Sequence, residues 1–128
     1  MISVIDTVIR IKNGYMAKKI EIIVPGSKIT MSVLEKLISE GFITSFTREQ
    51  EGIEKYFKVQ LKYENGKAKF TDVEIVSKPG QRKYVKAIEI PSVLNGLGTA
   101  FLSTTSGILT GKEAKKASLG GELLFNIW

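Results

Sequence analysis

Apolar side chains near the start of the chain recur at the spacing of an α-helix. They lie three or four positions apart and so share one side of a helix, while charged and amide residues take the other side. Asn13-Gly14 is a turn signal, and we expect the helix to end there. The apolar stripe consists of Val4, Ile5, Val8, Ile9, Ile11 and Tyr15.

A strand and a second helix are predicted next. Residues 20–24, which are apolar except for Glu21, predict a strand that stops at Pro25-Gly26. Ser27 has a side chain preferred at a helix N-cap, and Gly41 lies where a left-handed glycine commonly closes a helix. The helix between them has an apolar face formed by Met31, Leu34, Leu37 and Ile38.

The pattern then changes to the alternation of β-strands. Residues 42–46 predict one strand, and Gly52 lies in a polar turn. Asn65-Gly66 is a strong hairpin signal, from which we expect a return strand over residues 68–76. The strand before that turn has inward positions at Phe57, Val59, Leu61 and Tyr63.

The second half predicts mostly antiparallel β-structure with one short helix. Thr110 and Glu113 fit a capping box that opens this helix, which we expect to reach about Ser118 and to stop at Gly120-Gly121. The other predicted elements are a basic turn over residues 77–84 that enters a strand, a short helical turn over 91–95, and strands over 98–105 and 122–128.

The predicted fold class is α+β, with two small α+β modules packed together. The N-terminal module, residues 1–63, has the order α-β-α-β-β, and the C-terminal module covers residues 64–128. The chain has 128 residues, of which 43% are hydrophobic, enough to bury a core. No linker-like stretch separates the modules and no internal repeat is visible.

The amino-acid composition excludes several kinds of catalytic group and metal site. The chain has no His and no Cys, which excludes thiol nucleophiles, disulfides, Cys/His metal sites and His-based acid–base catalysis. We therefore expect no enzymatic activity and no cofactor. The charged residues before residue 25 also interrupt any membrane span or signal peptide.

The net charge is +6, and its excess is concentrated in two segments. Residues 1–20 and residues 76–90 each carry +3. An even scatter would be typical of a surface kept soluble by charge, whereas two concentrated basic segments favour a nucleic-acid partner.

Four consecutive hydroxyl side chains, at residues 103–106, precede Gly107. They either satisfy backbone groups at a strand end or form a neutral surface that contacts phosphate, ribose or base edges. The residues alone leave both interpretations open. The glycines around Lys112 do not have the spacing of a phosphate-binding loop, and no base accompanies these hydroxyls to make a nucleophile.

A second candidate group combines cations with an aromatic ring. Lys78, Arg82 and Tyr84 surround Pro79-Gly80. They form either an exposed turn or a surface in which the cations contact phosphates and Tyr84 packs on a sugar or base. Glu122 follows the glycine pair and has a carboxylate able to accept from a base amino group, although a surface carboxylate needs no such role.

These segments resemble the ribosomal protein S8 family. The most specific part is residues 96–110, GLGTAFLSTTSGILT, followed by residues 119–122, LGGE. Residues 77–80, SKPG, are similar to the family's Ser-Arg-Pro-Gly segment, and residues 10–13, RIKN, to its Arg-Ile-Arg-Asn. Residues 25–28 and 40–43 also fit, so the resemblance covers nearly the whole chain in order.

The resemblance implies a structural constituent of the small ribosomal subunit. Such a protein is a primary rRNA-binding protein that binds the central domain of small-subunit rRNA and helps to assemble the platform, beside neighbours such as ribosomal protein S5. Carried over by position, the main RNA contact is Ser103, Thr104, Thr105, Ser106 and Gly107. The supporting RNA contacts are Lys78, Arg82, Tyr84 and Glu122, together with Arg10, Lys12, Asn13 and Lys28.

The chain departs from the family pattern at three positions of this region. Thr105 stands where Ser is usual and Ser106 where Lys is usual, so the loop lacks a cation. Gly111 replaces a usual acidic residue, which is expected to weaken the cap of the following helix.

The expected location is the cytoplasmic ribosome of a bacterium, with an organellar ribosome as the alternative. The alternative function is a protein-interaction adaptor outside the ribosome. Neither a membrane nor a small-molecule substrate is an expected partner.

Overall fold

The computed structural model describes residues 2–128 and divides the chain into two compact units, one reaching to Phe70 and the other formed by Thr71–Trp128. Residue 1, where the first predicted module begins, lies outside the described residues. The division falls seven residues after the predicted one at residue 63. Phe70 belongs with the first unit because its ring stacks on Tyr15 with centroids 5.1 Å apart.

The first unit contains a three-stranded antiparallel sheet and two helices. In the sequence, one helix comes before the first strand and the other comes after it. The last of the three strands in the sequence, β3 (Glu54–Leu61), lies in the middle, between β1 (Glu21–Pro25) and β2 (Ile43–Glu51). The predicted α-β-α-β-β order is confirmed. The elements are α1 (Ile2–Met16), β1 (Glu21–Pro25), α2 (Lys28–Ser39), β2 (Ile43–Glu51) and β3 (Glu54–Leu61).

The apolar stripe of α1 is confirmed except at Ile9, which is 42% exposed. The prediction that Asn13-Gly14 ends the helix is wrong. A Cβ at Gly14 would lie 2.6 Å from Ile22 Cγ2, so this glycine lets α1 approach β1 closely. The buried positions of the stripe include Val4, Val8, Ile11 and Tyr15.

Both predicted ends of α2 are confirmed. Ser27 Oγ accepts a hydrogen bond from Thr30 N at 3.2 Å, as an N-cap does. Gly41 has φ +82°, the left-handed conformation that favours glycine just past a helix. Leu34 and Leu37 are fully buried in the apolar face.

Tyr15 joins α1 to the end of the sheet. Its hydroxyl donates to Phe42 O and accepts from Lys62 N at 3.0 Å, so two backbone groups are satisfied by one side chain. Burial is the main cause that raises the pKa of Tyr15, and the nearby Tyr63 adds to the rise, against the lowering effect of the Lys62 hydrogen bond.

The predicted hairpin at Asn65-Gly66 is confirmed, with φ +52° and +77° at its two turn residues. It joins β4 (Tyr63–Glu64) to β5 (Lys67–Ala68). The prediction of one return strand over residues 68–76 is wrong. β5 ends at Ala68, and β6 (Val73–Ile75) pairs instead within the sheet of the second unit.

Every strand pair in the sheet of the second unit is antiparallel, as predicted. Its central strand is β10 (Gly121–Ile127), which pairs with β8 (Thr99–Thr104) along one edge and with β6 and β7 (Tyr84–Val85) along the other. The remaining elements are β9 (Gly107–Thr110), α3 (Gly111–Lys116) and 3₁₀ turns at Ala87–Glu89 and Leu94–Gly96.

The capping box of α3 is confirmed. Thr110 Oγ1 accepts from Glu113 N at 3.3 Å, and Glu113 Oε1 accepts from Thr110 N at 3.0 Å. Gly111 therefore does not prevent the cap, since both halves of the box are formed, and the expectation that it weakens the cap stays a prediction. A Cβ at Gly111 would lie 3.1 Å from Ile90 Cγ2, so glycine suits the packing there.

Candidate nucleic-acid interface

Three of the predicted site residues lie side by side on adjacent strands. Tyr84 of β7 is directly opposite Glu122 of β10, and Glu122 is directly opposite Ser103 of β8. Directly opposite residues of antiparallel strands project from the same face of a sheet. We call these three residues the cross-strand row. Tyr84 is 69% exposed and Glu122 only 8%, so the row presents an open aromatic ring beside an enclosed carboxylate.

Two glycines allow the strands of the row to approach one another. A Cβ at Gly121 would overlap Ser103 O, and a Cβ at Gly120 would overlap Val85 O. The prediction that this pair stops α3 is wrong, because the helix already ends at Lys116. Instead, the glycine pair leaves room for β10 to lie between β7 and β8.

Residues 104–107 form the tight turn between β8 and β9, which we call the hydroxyl turn. Gly107 has φ +96°, a conformation that favours glycine. Thr104 Oγ1 donates to Gly107 O at 2.8 Å and accepts from Ser106 N at 3.1 Å. The Thr104 side chain therefore fixes the shape of the turn. Sequence reasoning did not predict β9, so it placed these residues at a strand end rather than in a hairpin.

The two interpretations of the four hydroxyls apply to different residues. Thr104 satisfies backbone groups, as the first interpretation expects. Ser103 is half-buried, Thr105 and Ser106 are exposed, and none of the described residues hydrogen-bonds to their three hydroxyls. These hydroxyls remain available to donate to or accept from a ligand.

Glu122 has one carboxylate oxygen near a cation and one without a donor. Oε1 lies 3.7 Å from Arg82 Nη1. Oε2 is buried, and no described residue hydrogen-bonds to it. Leaving a buried acceptor unsatisfied costs ~1–3 kcal/mol, and more for a charged group. A ligand that brings a donor to this carboxylate would remove that cost.

The loop before the row is anchored by a buried serine. Ser77 is fully buried, and its Oγ donates to Leu123 O at 2.7 Å and accepts from Lys83 N at 3.0 Å. The sequence placed Ser77 at the start of a basic turn and in a segment that resembles the family, and did not predict its burial. Its one signal is a small hydroxyl residue before a Pro-Gly turn, which rarely indicates burial.

Lys78 lies on the turn that this serine holds. Its backbone exchanges two hydrogen bonds with Gln81, at 3.0 and 2.9 Å. The side chain is exposed and has no ion pair within the described residues. The structure thus brings together Arg82, Tyr84, Glu122 and Ser103, with Lys78 on a neighbouring turn.

The four candidates in the first unit occupy different positions there. Arg10 and Asn13 line a cleft beside β1, and Arg10 Nε bonds to Asp6 Oδ2 at 3.0 Å. Lys12 is half-buried on α1. Lys28, the first residue of α2, lines another cleft.

The candidate surfaces consist of hydroxyls, cations, one aromatic ring and one carboxylate. Within residues 2–128, no group of three or more Asp or Glu side chains is placed to hold a metal ion. In the same range, no helix is both long and apolar enough to cross a membrane. This set of groups is suited to binding a polar, anionic partner.

Known proteins match this chain along almost its whole length. A family model described as Ribosomal protein S8 matches residues 3–128. The small ribosomal subunit protein uS8 of Dictyoglomus thermophilum is 46% identical over 123 residues, covering 96% of this chain and 94% of the relative. The proteins of the same name from Trichodesmium erythraeum and Mycoplasmopsis agalactiae are 44% and 41% identical, with the same two coverages.

Proposed function

The chain belongs to the ribosomal protein S8 family and is thus a structural, non-enzymatic component of the small ribosomal subunit, associated with its rRNA and proteins; on that premise we propose that it is a primary binding protein of the rRNA central domain. In this proposal the second unit binds one helix of that domain and helps to assemble the platform. Neighbours such as ribosomal protein S5 lie beside it. The proposed location is a bacterial cytoplasmic ribosome, with an organellar ribosome as the alternative.

The observation that supports this site is the cross-strand row with the hydroxyl turn at its end. β8 supplies Ser103 to the row and continues directly into Thr104, the first residue of the turn. Three hydroxyls without internal partners, an exposed ring and a carboxylate short of a donor are thereby held on one hairpin and two adjoining strands. Such groups distinguish RNA features by hydrogen bonding rather than by charge.

Hydroxyl groups suit the RNA surface that side chains can reach. The major groove of an A-form helix is too narrow for side chains, whereas the minor groove displays 2′-hydroxyls and base edges. A 2′-hydroxyl both donates and accepts, as Ser103, Thr105 and Ser106 do. We therefore propose approach from the minor groove or at an irregular bulge, with Tyr84 against a sugar or base.

Cations provide the part of the affinity that does not depend on sequence. Lys78 and Arg82 in the second unit are proposed to contact phosphates, as are Arg10, Lys12 and Lys28 in the first, with the neutral amide of Asn13 as a further contact beside them. Phosphate contacts fix orientation and make binding depend on salt, but they read no sequence.

Filter binding across salt concentrations tests this division. The probes are an rRNA central-domain fragment and a scrambled helix of equal length. Ser103→Ala should weaken binding to the central-domain fragment about fivefold, for a loss of ~1 kcal/mol, without changing the salt slope. Lys78→Gln should lower the slope by roughly 0.7–0.9 and leave the preference for the fragment intact.

Two results would contradict the proposal. Equal binding of the fragment and the scrambled helix by the unaltered protein would favour the adaptor function instead. Identical behaviour of the Ser103→Ala and Lys78→Gln variants would show that the hydroxyls do not supply the RNA preference separately from the salt-dependent affinity of the cations.

A further inference from the structure

A second cleft in the first unit has the composition of an anion-binding site. It has a volume of about 530 Å³ and lies between the start of α2 and the β2–β3 hairpin. Its lining includes Lys28, Arg48, Lys55, Gln50 and, among apolar residues, Met31 and Phe57. We call it the basic cleft.

The hairpin register explains why two of these cations share one wall. Arg48 is directly opposite Phe57, and Gln50 is directly opposite Lys55. Because strand side chains alternate between faces, these four residues project from the same face of the hairpin. Phe57 is 5% exposed and forms part of the floor, whereas Arg48 and Lys55 are exposed.

The cations of the basic cleft are not neutralised by the protein. Lys28, Arg48 and Lys55 form no ion pair and no side-chain hydrogen bond within the described residues. Glu49 is the one carboxylate in the lining, opposite Tyr56 on the other face of the hairpin by strand alternation. The wall formed by Arg48, Gln50 and Lys55 is therefore purely basic and polar.

The walls of the cleft are held together by backbone contacts. Gly26 N donates to Lys55 O at 3.1 Å, and a Cβ at Gly26 would lie only 2.8 Å from the same oxygen. The entry to α2 is thus fixed against β3. The spacing between Lys28 and the hairpin wall is a built feature rather than a chance approach of two surface side chains.

We propose that the basic cleft binds the sugar–phosphate backbone of an RNA segment other than the one at the cross-strand row. The proposal rests on the proposed rRNA-binding function and adds Arg48 and Lys55 to it. Three unpaired cations around a concave surface attract phosphates. An acidic protein segment is a poorer fit, because the apolar residues of the lining are buried or half-buried and offer no exposed anchor.

Charge-matched variants of the full chain test the cleft by filter binding to small-subunit rRNA. Arg48→Gln with Lys55→Gln should lower the salt slope by roughly 0.7–0.9 for each cation removed. The control, Lys67→Gln with Lys116→Gln, removes two exposed cations outside the cleft and should leave the slope unchanged. A fall of the same size in the control would overturn the proposal, because it would show only an effect of net charge.

The absence of cysteine allows a direct test of position. Gln50→Cys carrying a photo-crosslinker should crosslink to RNA in the complex, whereas Ser39→Cys at the far end of α2 should not. Crosslinks from position 50 to a neighbouring protein and not to RNA would overturn the proposal.

These assays separate the two levels of inference. Suppose that Ser103→Ala still weakens binding while the cleft variant matches its control and position 50 gives no crosslink to RNA. The basic cleft is then wrong and the rRNA-binding function stands. If the unaltered protein does not prefer the central-domain fragment, the proposed function itself fails.

Discussion

The cross-strand row and the basic cleft, the two proposed binding surfaces, are built by opposite means. In the row, backbone pairing across three strands positions side chains of which only one carries charge, and two glycines set the spacing. In the cleft, exposed cations stand on a hairpin and a helix without partners among the described residues. The row depends on geometry, whereas the cleft depends on charge.

This difference predicts how each surface tolerates change. Hydrogen bonds weaken steeply with misalignment, so small shifts of β10 should remove the selectivity of the row. Long cationic side chains adapt to a displaced phosphate, so the cleft should tolerate shifts and respond to salt.

Gly121→Ala should have the largest effect. The added methyl group would overlap Ser103 O and force β10 away from β8, and such overpacking typically costs ~1–3 kcal/mol. We expect a lower urea midpoint and loss of preference for the central-domain fragment, with salt-dependent binding through the cleft retained. Gly80→Ala is the control, since nothing lies within 4 Å of its added Cβ. Full preference in Gly121→Ala would show that strand spacing does not set selectivity.

Ser77→Ala should destabilise the second unit without touching the row directly. It leaves Leu123 O and Lys83 N without their partner, for a cost of ~1–3 kcal/mol. Chemical denaturation measures this, with the exposed Ser45→Ala as control. If the two serine variants unfolded at the same urea concentration, the buried hydroxyl would not anchor the loop.

Substitutions in the hydroxyl turn should have the smallest effects and separate its two kinds of hydroxyl. Thr104→Val removes the hydroxyl that fixes the turn and should lower stability by ~1 kcal/mol. Thr105→Val should change stability by less than ~0.5 kcal/mol, since its hydroxyl has no bond within the protein, yet weaken binding to the fragment. Urea unfolding and filter binding on both variants measure these effects. The opposite pattern would show that Thr105 fixes the turn and that Thr104 contacts the RNA.

Local signals made much of the fold predictable. Ser27, Gly41, Asn65-Gly66 and Thr110 act on their immediate neighbours, and the structure forms each cap or turn as predicted. Pairings between distant segments were not predictable in the same way. The run after residue 68 has the composition of a strand, but its partner is β10, whose position depends on contacts far along the chain.

The candidate site was predictable as a set of residues but not as an arrangement. Glu122 and Ser103 were singled out separately, and only the register of β10 places them opposite each other. The net charge of consecutive sequence segments does not reveal the basic cleft. Arg48 and Lys55 lie among glutamates in sequence, and the hairpin brings them to one face while Glu49 takes the other.

The central position of β10 also has a consequence during synthesis of the chain. β10 follows every strand with which it pairs, whereas the sheet of the first unit is complete in sequence by Leu61. Domains fold in order as they leave the ribosome that makes them. If the two surfaces bind RNA as proposed, a nascent chain completes the basic cleft first, and it completes the cross-strand row only when Gly121 and Glu122 have emerged.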